Sequence, residues 1–171
     1  MVGLKELLND FHPLEPENER NGLGHKEFDL KIGNHDFVVQ YMVQPMPLDY
    51  CLMYADGTTK RRIRSEFGPQ RTVLNFQFYY RKPDYESSSL TQDLQDFPDG
   101  TVFPLIKQIG NWLFGMQNKV DTIVFGGDLE RKKPYLLFSR KIESNGWTLV
   151  EGEGPGPNGR GHFFALFKNG T

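Results

Sequence analysis

Arginine and lysine side chains at two places in the sequence are the first candidates for binding chemistry. The first group follows the Asp56-Gly57 turn signal and precedes a strongly apolar strand pattern. Dense cations of this kind bind phosphate groups, RNA or an acidic protein, and a solvated hairpin rim is the alternative interpretation. Its members are Lys60, Arg61, Arg62 and Arg64, with Arg71 further along the chain.

The second group is Arg131-Lys132-Lys133, at the start of a predicted helix. Cations in the first turn of a helix oppose the positive end of the helix dipole, so their position has a local cost. We therefore expect an anion or an acidic protein to dock there. Arg61, Arg62, Arg64, Arg131, Lys132 and Lys133 are the predicted anion or partner contacts.

Residues that hold metals or act as nucleophiles are few and scattered. Gly33-Asn34-His35-Asp36 matches one signature of metallophosphoesterases, but the leading Asp-x-His of those enzymes is missing, and a two-metal site needs more ligands. Gly-Asn is also a favoured hairpin dipeptide, so we interpret the segment as a turn. The four histidines lack metal-ligand spacing and are expected at the surface or lightly hydrogen-bonded. Cys51, in an apolar segment, is expected to be a small buried hydrophobe. We predict no metal site and assign no catalytic residue.

Composition limits the classes of protein that the chain can represent. It has 171 residues, 37% of them hydrophobic, and a net charge of −2, which favours one globular domain and disfavours a general binder of the nucleic-acid backbone. A single cysteine forms no intrachain disulfide and favours a reducing compartment. No stretch approaches the roughly 20 apolar residues of a membrane helix. The sequence predicts a cytoplasmic protein that does not enter a membrane.

The first half of the chain is predicted to be a short helix followed by strands. Leu4 to Phe11 has helical spacing, and residues 12–25 form a loop. Alternating apolar residues predict an antiparallel meander over residues 26–81, including a strand at Tyr50–Tyr54. Its strongest strand is Thr72–Tyr80, whose core side is expected to be Leu74, Phe76, Phe78 and Tyr80.

Residues 99–171 are predicted to form helix, strand, helix, strand and strand, after a long polar loop over residues 82–98. The first helix has a buried stripe of Val102, Ile106, Ile109, Leu113 and Met116; the second has Tyr135, Phe138 and Ile142. Gly152–Gly161, rich in glycine and proline, is expected to be a loop. The helix between two strands implies a parallel pair. The predicted fold is α+β, with a mixed, mostly antiparallel sheet and helices on both faces.

This order of elements resembles the GNAT acetyltransferase superfamily, in which an antiparallel meander precedes a strand, helix, strand, helix, strand, strand half. Tyr135–Trp147, a helix that ends in Gly and an aromatic before a strand, is similar to the family's fourth helix and Gly-Phe junction. Val102-Phe103, Ile123–Phe125, Arg131 and Tyr135 resemble GNAT-like proteins of tailed phages. The resemblance implies a single GNAT-like domain over residues 1–171, in a host cytoplasm or a virion.

The sequence departs from that family at the positions that bind cofactor and perform chemistry. The family's glycine-rich loop holds the pyrophosphate of acetyl-CoA at a helix start, where this chain has Asp93, Asp96 and Asp99. Carboxylates there would repel a phosphate. Ile142 stands where the family has its tyrosine acid. We therefore expect a non-catalytic structural or interaction protein with a protein partner and no cofactor. The alternative is an acetyl-CoA-dependent N-acetyltransferase with a divergent cofactor loop.

Overall fold

The computed structural model describes residues 14–83, 89–156 and 159–171. These residues form an α+β fold with a mixed, mostly antiparallel sheet, as predicted. The predicted helix from Leu4 to Phe11 lies outside the described residues. The strands are β1 (Glu17–Asn21), β2 (Lys26–Ile32), β3 (His35–Pro47), β4 (Gln70–Lys82), β5 (Ser89–Thr91), β6 (Thr122–Asp128), β7 (Trp147–Gly156) and β8 (Gly159–Lys168). The helices are α1 (Leu48–Cys51), α2 (Gly57–Glu66), α3 (Val102–Met116) and α4 (Lys132–Glu143).

The chain divides into two compact units by its internal contacts. The first unit comprises Met1–Met42 and Phe76–Gly115, and the second comprises Val43–Asn75 and Met116–Thr171. Strands β3 and β4 each contribute residues to both units.

The first unit contains the strand order β1-β2-β3-β4, with β5 antiparallel to β4. Strands β2 and β3 form the predicted hairpin, in which Ile32 pairs with His35 and Gly33 takes a positive φ of 63°. The core is aromatic, and Trp112 of α3 is its centre. The Trp112 ring centroid lies 5.1 Å from those of Phe28 and Tyr41 and 5.6 Å from that of Phe76.

The second unit contains the strand order β3-β4-β6-β8-β7. Strands β4 and β6 are parallel over three residue pairs, from Val73–Thr122 to Asn75–Val124, which confirms the predicted parallel pair. Strand β8 is antiparallel to both β6 and β7. The predicted stripe of α4 is also confirmed, because its members Tyr135, Phe138 and Ile142 are buried.

Neighbouring residues of a strand point to opposite faces of a sheet, and in the second unit helices pack on both of these faces. On one face, Phe164 of β8 and Phe125 of β6 pack against Tyr135 and Phe138 of α4. On the other face, α1 and α2 pack on a separate cluster. Its buried members are Leu48, Leu52, Ile63, Phe67, Val150, Ala165 and Phe167.

The predicted strand at Tyr50–Tyr54 is wrong, because this segment begins in α1 and continues as a turn. Leu48 and Leu52 are both buried, and a four-residue spacing places two side chains on one face of a helix. The basic segment after it, which had no structural prediction, is α2. Two strands also occur inside predicted loops: β1 within residues 12–25 and β5 within residues 82–98.

The predicted loop at Gly152–Gly161 is wrong in most of its length, because β7 and β8 extend to Gly156 and back from Gly159. The glycines of β7 make room for Tyr54. A Cβ at Gly152 would lie 2.2 Å from the Tyr54 carbonyl oxygen, and one at Gly154 would lie 2.4 Å from its ring. The ring also stacks on Phe163 of β8, with 4.3 Å between ring centroids. Glycine is needed here for close approach and not for a turn.

A buried arginine joins three segments of the second unit. The Arg71 side chain is 1% exposed, and its Nε donates to Thr122 Oγ1 at 2.8 Å. Its Nη2 donates to Thr171 Oγ1 at 2.7 Å and to the Asp121 carbonyl oxygen at 3.1 Å. The Asp121 carboxylate lies 3.5 Å from Nε and accepts a hydrogen bond from the Thr72 N–H at 2.9 Å. The guanidinium also lies over the Phe67 ring, 5.4 Å from its centroid.

We expect Arg71→Ala to lower the free energy of unfolding by about 3 kcal/mol, because it leaves buried acceptors without a donor. Arg71→Lys should give a smaller loss, since it keeps the charge and loses the planar fork. Urea denaturation measures both. Arg62→Ala on the exposed face of α2 is the control and should stay within about 0.5 kcal/mol of wild type. An Arg71→Ala protein as stable as this control would contradict the structural role.

Gly152→Ala should lower the free energy of unfolding by about 2 kcal/mol, because the new methyl group would overlap the Tyr54 backbone. Gly68→Ala is a matched control, since a methyl group added there would have no atom within 4 Å beyond its chain neighbours, and the φ of Gly68 is not positive. The control should be neutral. Equal urea midpoints for the two variants would show that Tyr54 does not require glycine at position 152.

Candidate partner-binding surface

Helix α2 carries three of the six predicted contact residues and begins at a well-formed cap. The Asp56 carboxylate accepts a hydrogen bond from the Thr59 N–H at 2.7 Å, and this bond lowers the pKa of Asp56. Ile63 is the one residue of α2 that is buried, and it joins the cluster under α1 and α2. The helix is therefore held by its cap and a single apolar anchor, and its other sides are open to solvent.

The structure brings Arg61, Arg62 and Arg64 together on the exposed part of α2. Arg64 Nε donates to Asp49 Oδ1 of α1 at 2.8 Å, and Arg61 Nη2 donates to Thr58 Oγ1 at 3.4 Å. Both bonds are at the surface, where ion pairs contribute little to stability and remain open to exchange.

Two large apolar side chains, one in α1 and one in the turn after it, are also exposed. Tyr50 of α1 is 61% exposed and Met53, two residues after α1, is 52% exposed. The Arg64–Asp49 pair joins α2 to α1, the helix that carries Tyr50. Arginine, tyrosine and methionine are the residue types enriched at protein interfaces. We call the set Tyr50, Met53, Arg61, Arg62 and Arg64 the α2 surface.

In the second predicted group, Arg131-Lys132-Lys133, the arginine is buried and the two lysines are exposed. Arg131 is buried, with 3% exposure, and its Nη1 donates to the Tyr135 hydroxyl at 2.9 Å. Gly127 leaves space for this arginine, because a Cβ there would lie 3.1 Å from Arg131 Cδ. Arg131 therefore packs inside the second unit and does not form a surface cluster with Lys132 and Lys133, which are exposed at the start of α4.

The exposed lysines of α4 and the α2 surface belong to opposite faces of the sheet in the second unit. Phe164 faces α4, and its neighbour Ala165 faces α1 and α2. We therefore expect a single partner molecule to contact either the lysines of α4 or the α2 surface. The α2 surface is the larger of the two and includes apolar contact area as well as charge.

Three further side chains with candidate chemistry are Arg71, His162 and Cys51. Arg71, a sequence candidate for phosphate binding, is buried as described above. His162 is buried rather than at the surface; its Nε2 lies 2.9 Å from Glu151 Oε1, and its Nδ1 has no hydrogen-bond partner among the described residues. Burial raises the pKa of the Cys51 thiol to about 11, so little thiolate is present near neutral pH.

In the part of the chain that the structure describes, no three histidine, cysteine or acidic side chains are grouped to hold a metal ion. None of the described helices is long and apolar enough to cross a membrane. Comparisons with protein-family models, with curated proteins and with solved structures found no match to this chain.

Proposed function

We propose that the chain is a non-catalytic interaction protein on a GNAT-like fold and that it binds an acidic protein through the α2 surface. The order β4, α3, β6, α4, β7, β8, with β4 and β6 parallel, supports the GNAT-like part of the proposal. Fold similarity alone does not define an activity, because activity depends on the side chains of a site. The resemblance to phage proteins extends the proposal to a partner in the host cytoplasm or the virion.

The approach to α3 is the observation that supports a non-catalytic role. Thr91 Oγ1 donates to Asp96 Oδ2 at 2.9 Å, and Lys82 Nζ lies 3.4 Å from the same oxygen. The hydrogen bond from Thr91 lowers the pKa of Asp96, so this group is a carboxylate at neutral pH. Asp93 caps the short 3-10 helix Leu94–Asp96, and Asp99 follows. Anionic side chains thus precede the helix start where an acetyltransferase binds pyrophosphate.

The charge of α2 is the observation that supports an acidic partner. Its ten residues carry Lys60, Arg61, Arg62 and Arg64 against one acidic residue, Glu66. A concentration of cations on a chain of net charge −2 attracts acidic surfaces and favours fast association. The apolar side chains of Tyr50 and Met53 add buried contact area, and such residues supply most of the energy of a protein interface.

We expect a short synthetic peptide of alternating glutamate and alanine to bind the wild-type chain at low ionic strength and to shift amide resonances of α2. Arg61→Glu combined with Arg62→Glu should weaken binding by about tenfold, because like charges would then face each other. Lys132→Glu combined with Lys133→Glu changes the net charge equally and is the matched control. It should alter the affinity by about twofold or less.

Equal losses in both double variants would show that net charge alone attracts the peptide, and the α2 surface would no longer be supported. A short DNA duplex is titrated in parallel. Tighter binding to the duplex than to the peptide would replace the acidic protein with a nucleic acid as the partner.

A titration with acetyl-CoA tests the proposal that the chain binds no cofactor. We expect calorimetric titration to show no binding up to millimolar acetyl-CoA, because the carboxylates before α3 repel its phosphates. The triple variant Asp93→Asn, Asp96→Asn, Asp99→Asn removes this repulsion and shows whether charge is the cause. Micromolar binding by the wild-type chain, with release of CoA in the presence of amines, would instead support the N-acetyltransferase alternative.

A further inference from the structure

A cavity in the first unit lies where the β2–β3 hairpin turn meets the end of β4. Its volume is about 240 Å³. The hairpin contributes Asn34, His35 and Asp36 to the lining, and β4 contributes Tyr80, Arg81 and Lys82. The sequence motif Gly33–Asp36 thus forms a turn, as predicted, and that turn is also one wall of a cavity.

Contacts between aromatic rings hold the lining of this cavity in place. Tyr80 is 6% exposed, and its ring centroid lies 5.3 Å from that of Phe37 and 6.0 Å from that of Phe97. The His35 ring meets Tyr80 edge-on at 6.2 Å. A binding site that is already formed loses less entropy when a ligand arrives.

The lining favours a negatively charged ligand. Arg81 and Lys82 bring two cations, and Lys82 Nζ also lies 3.4 Å from Asp96 Oδ2, so its charge is shared with that carboxylate. The Asn34 amide and the His35 imidazole can both donate hydrogen bonds. The one carboxylate of the lining, Asp36, has Lys31 Nζ at 3.9 Å, which offsets part of its charge. The cavity is smaller than the roughly 300 to 1,000 Å³ of sites for drug-sized ligands, so the ligand is expected to be small.

We propose that this cavity binds a small oxyanion, the carboxylate or phosphate group of a small molecule, between the β2–β3 turn and Arg81 and Lys82. Arginine offers a planar pair of donors that matches either group, and lysine adds a second positive charge. The site is independent of the α2 surface, which belongs to the second unit.

Nuclear magnetic resonance titrations with inorganic phosphate and, separately, with acetate test the proposal on the full chain. We expect saturable shifts of the Asn34, His35 and Asp36 amides with at least one of the two ions. The ion that binds more tightly identifies which of the two groups the site prefers. Shifts spread over many surface lysines without saturation would overturn the proposal.

Variants of the lining separate a site from general charge attraction. Lys82→Gln and Asn34→Asp should each weaken binding by about fivefold or more, and Asp36→Asn should strengthen it. Asn34 in the turn and Asp36 near the start of β3 are both exposed, so their variants are expected to fold. Lys26→Gln, at the far end of β2, is the control and should leave the affinity unchanged. Unchanged binding in Asn34→Asp and Asp36→Asn would contradict the site.

Discussion

The second unit depends on the buried guanidinium of Arg71. Strands β4 and β6 are parallel and pair over three residues, and a parallel pair has no short turn to hold it together. Arg71 and Asp121 reinforce this junction with side-chain bonds to both strands and to Thr171. Because the charge is buried, removing any partner leaves an unpaired polar group in the core. The arginine therefore joins the start of β4 to the start of β6 and to Thr171.

A few close contacts with the sheet position the α2 surface. Ile63 anchors α2 to the apolar cluster that includes Phe167. Tyr54 lies directly on the glycines of β7, so the segment between α1 and α2 cannot lift without losing its stacking on Phe163. Because Ile63 is the one buried residue of α2, the helix leaves its arginines exposed to solvent.

The periodic spacing of apolar residues predicted the helices and strands that have several buried residues and missed those that have few. Helix α4 and strand β4 were predictable because repeated apolar residues mark their buried sides. Helix α2 has one buried residue, Ile63, so its apolar residues show no helical spacing. The dipeptide Asp56-Gly57 indicated a turn, but Asp56 is the N-cap of this helix. The short apolar run at Tyr50–Tyr54 fits a strand or a helix equally well in sequence, and only the packing of Leu52 decides between them.

The candidate contacts were harder to predict than the fold, because a sequence does not show which cations reach the surface. Arg131 and Arg62 are the same residue type within basic clusters, yet Tyr135 binds the first in the core and solvent surrounds the second. Gly127 relieves crowding beside the buried arginine, because a Cβ there would lie 3.1 Å from Arg131 Cδ. Burial removes a cation from contact with a partner, whereas the arginines of α2 remain exposed. This contrast is the reason that the proposed docking is assigned to α2 and a structural role to the buried arginines.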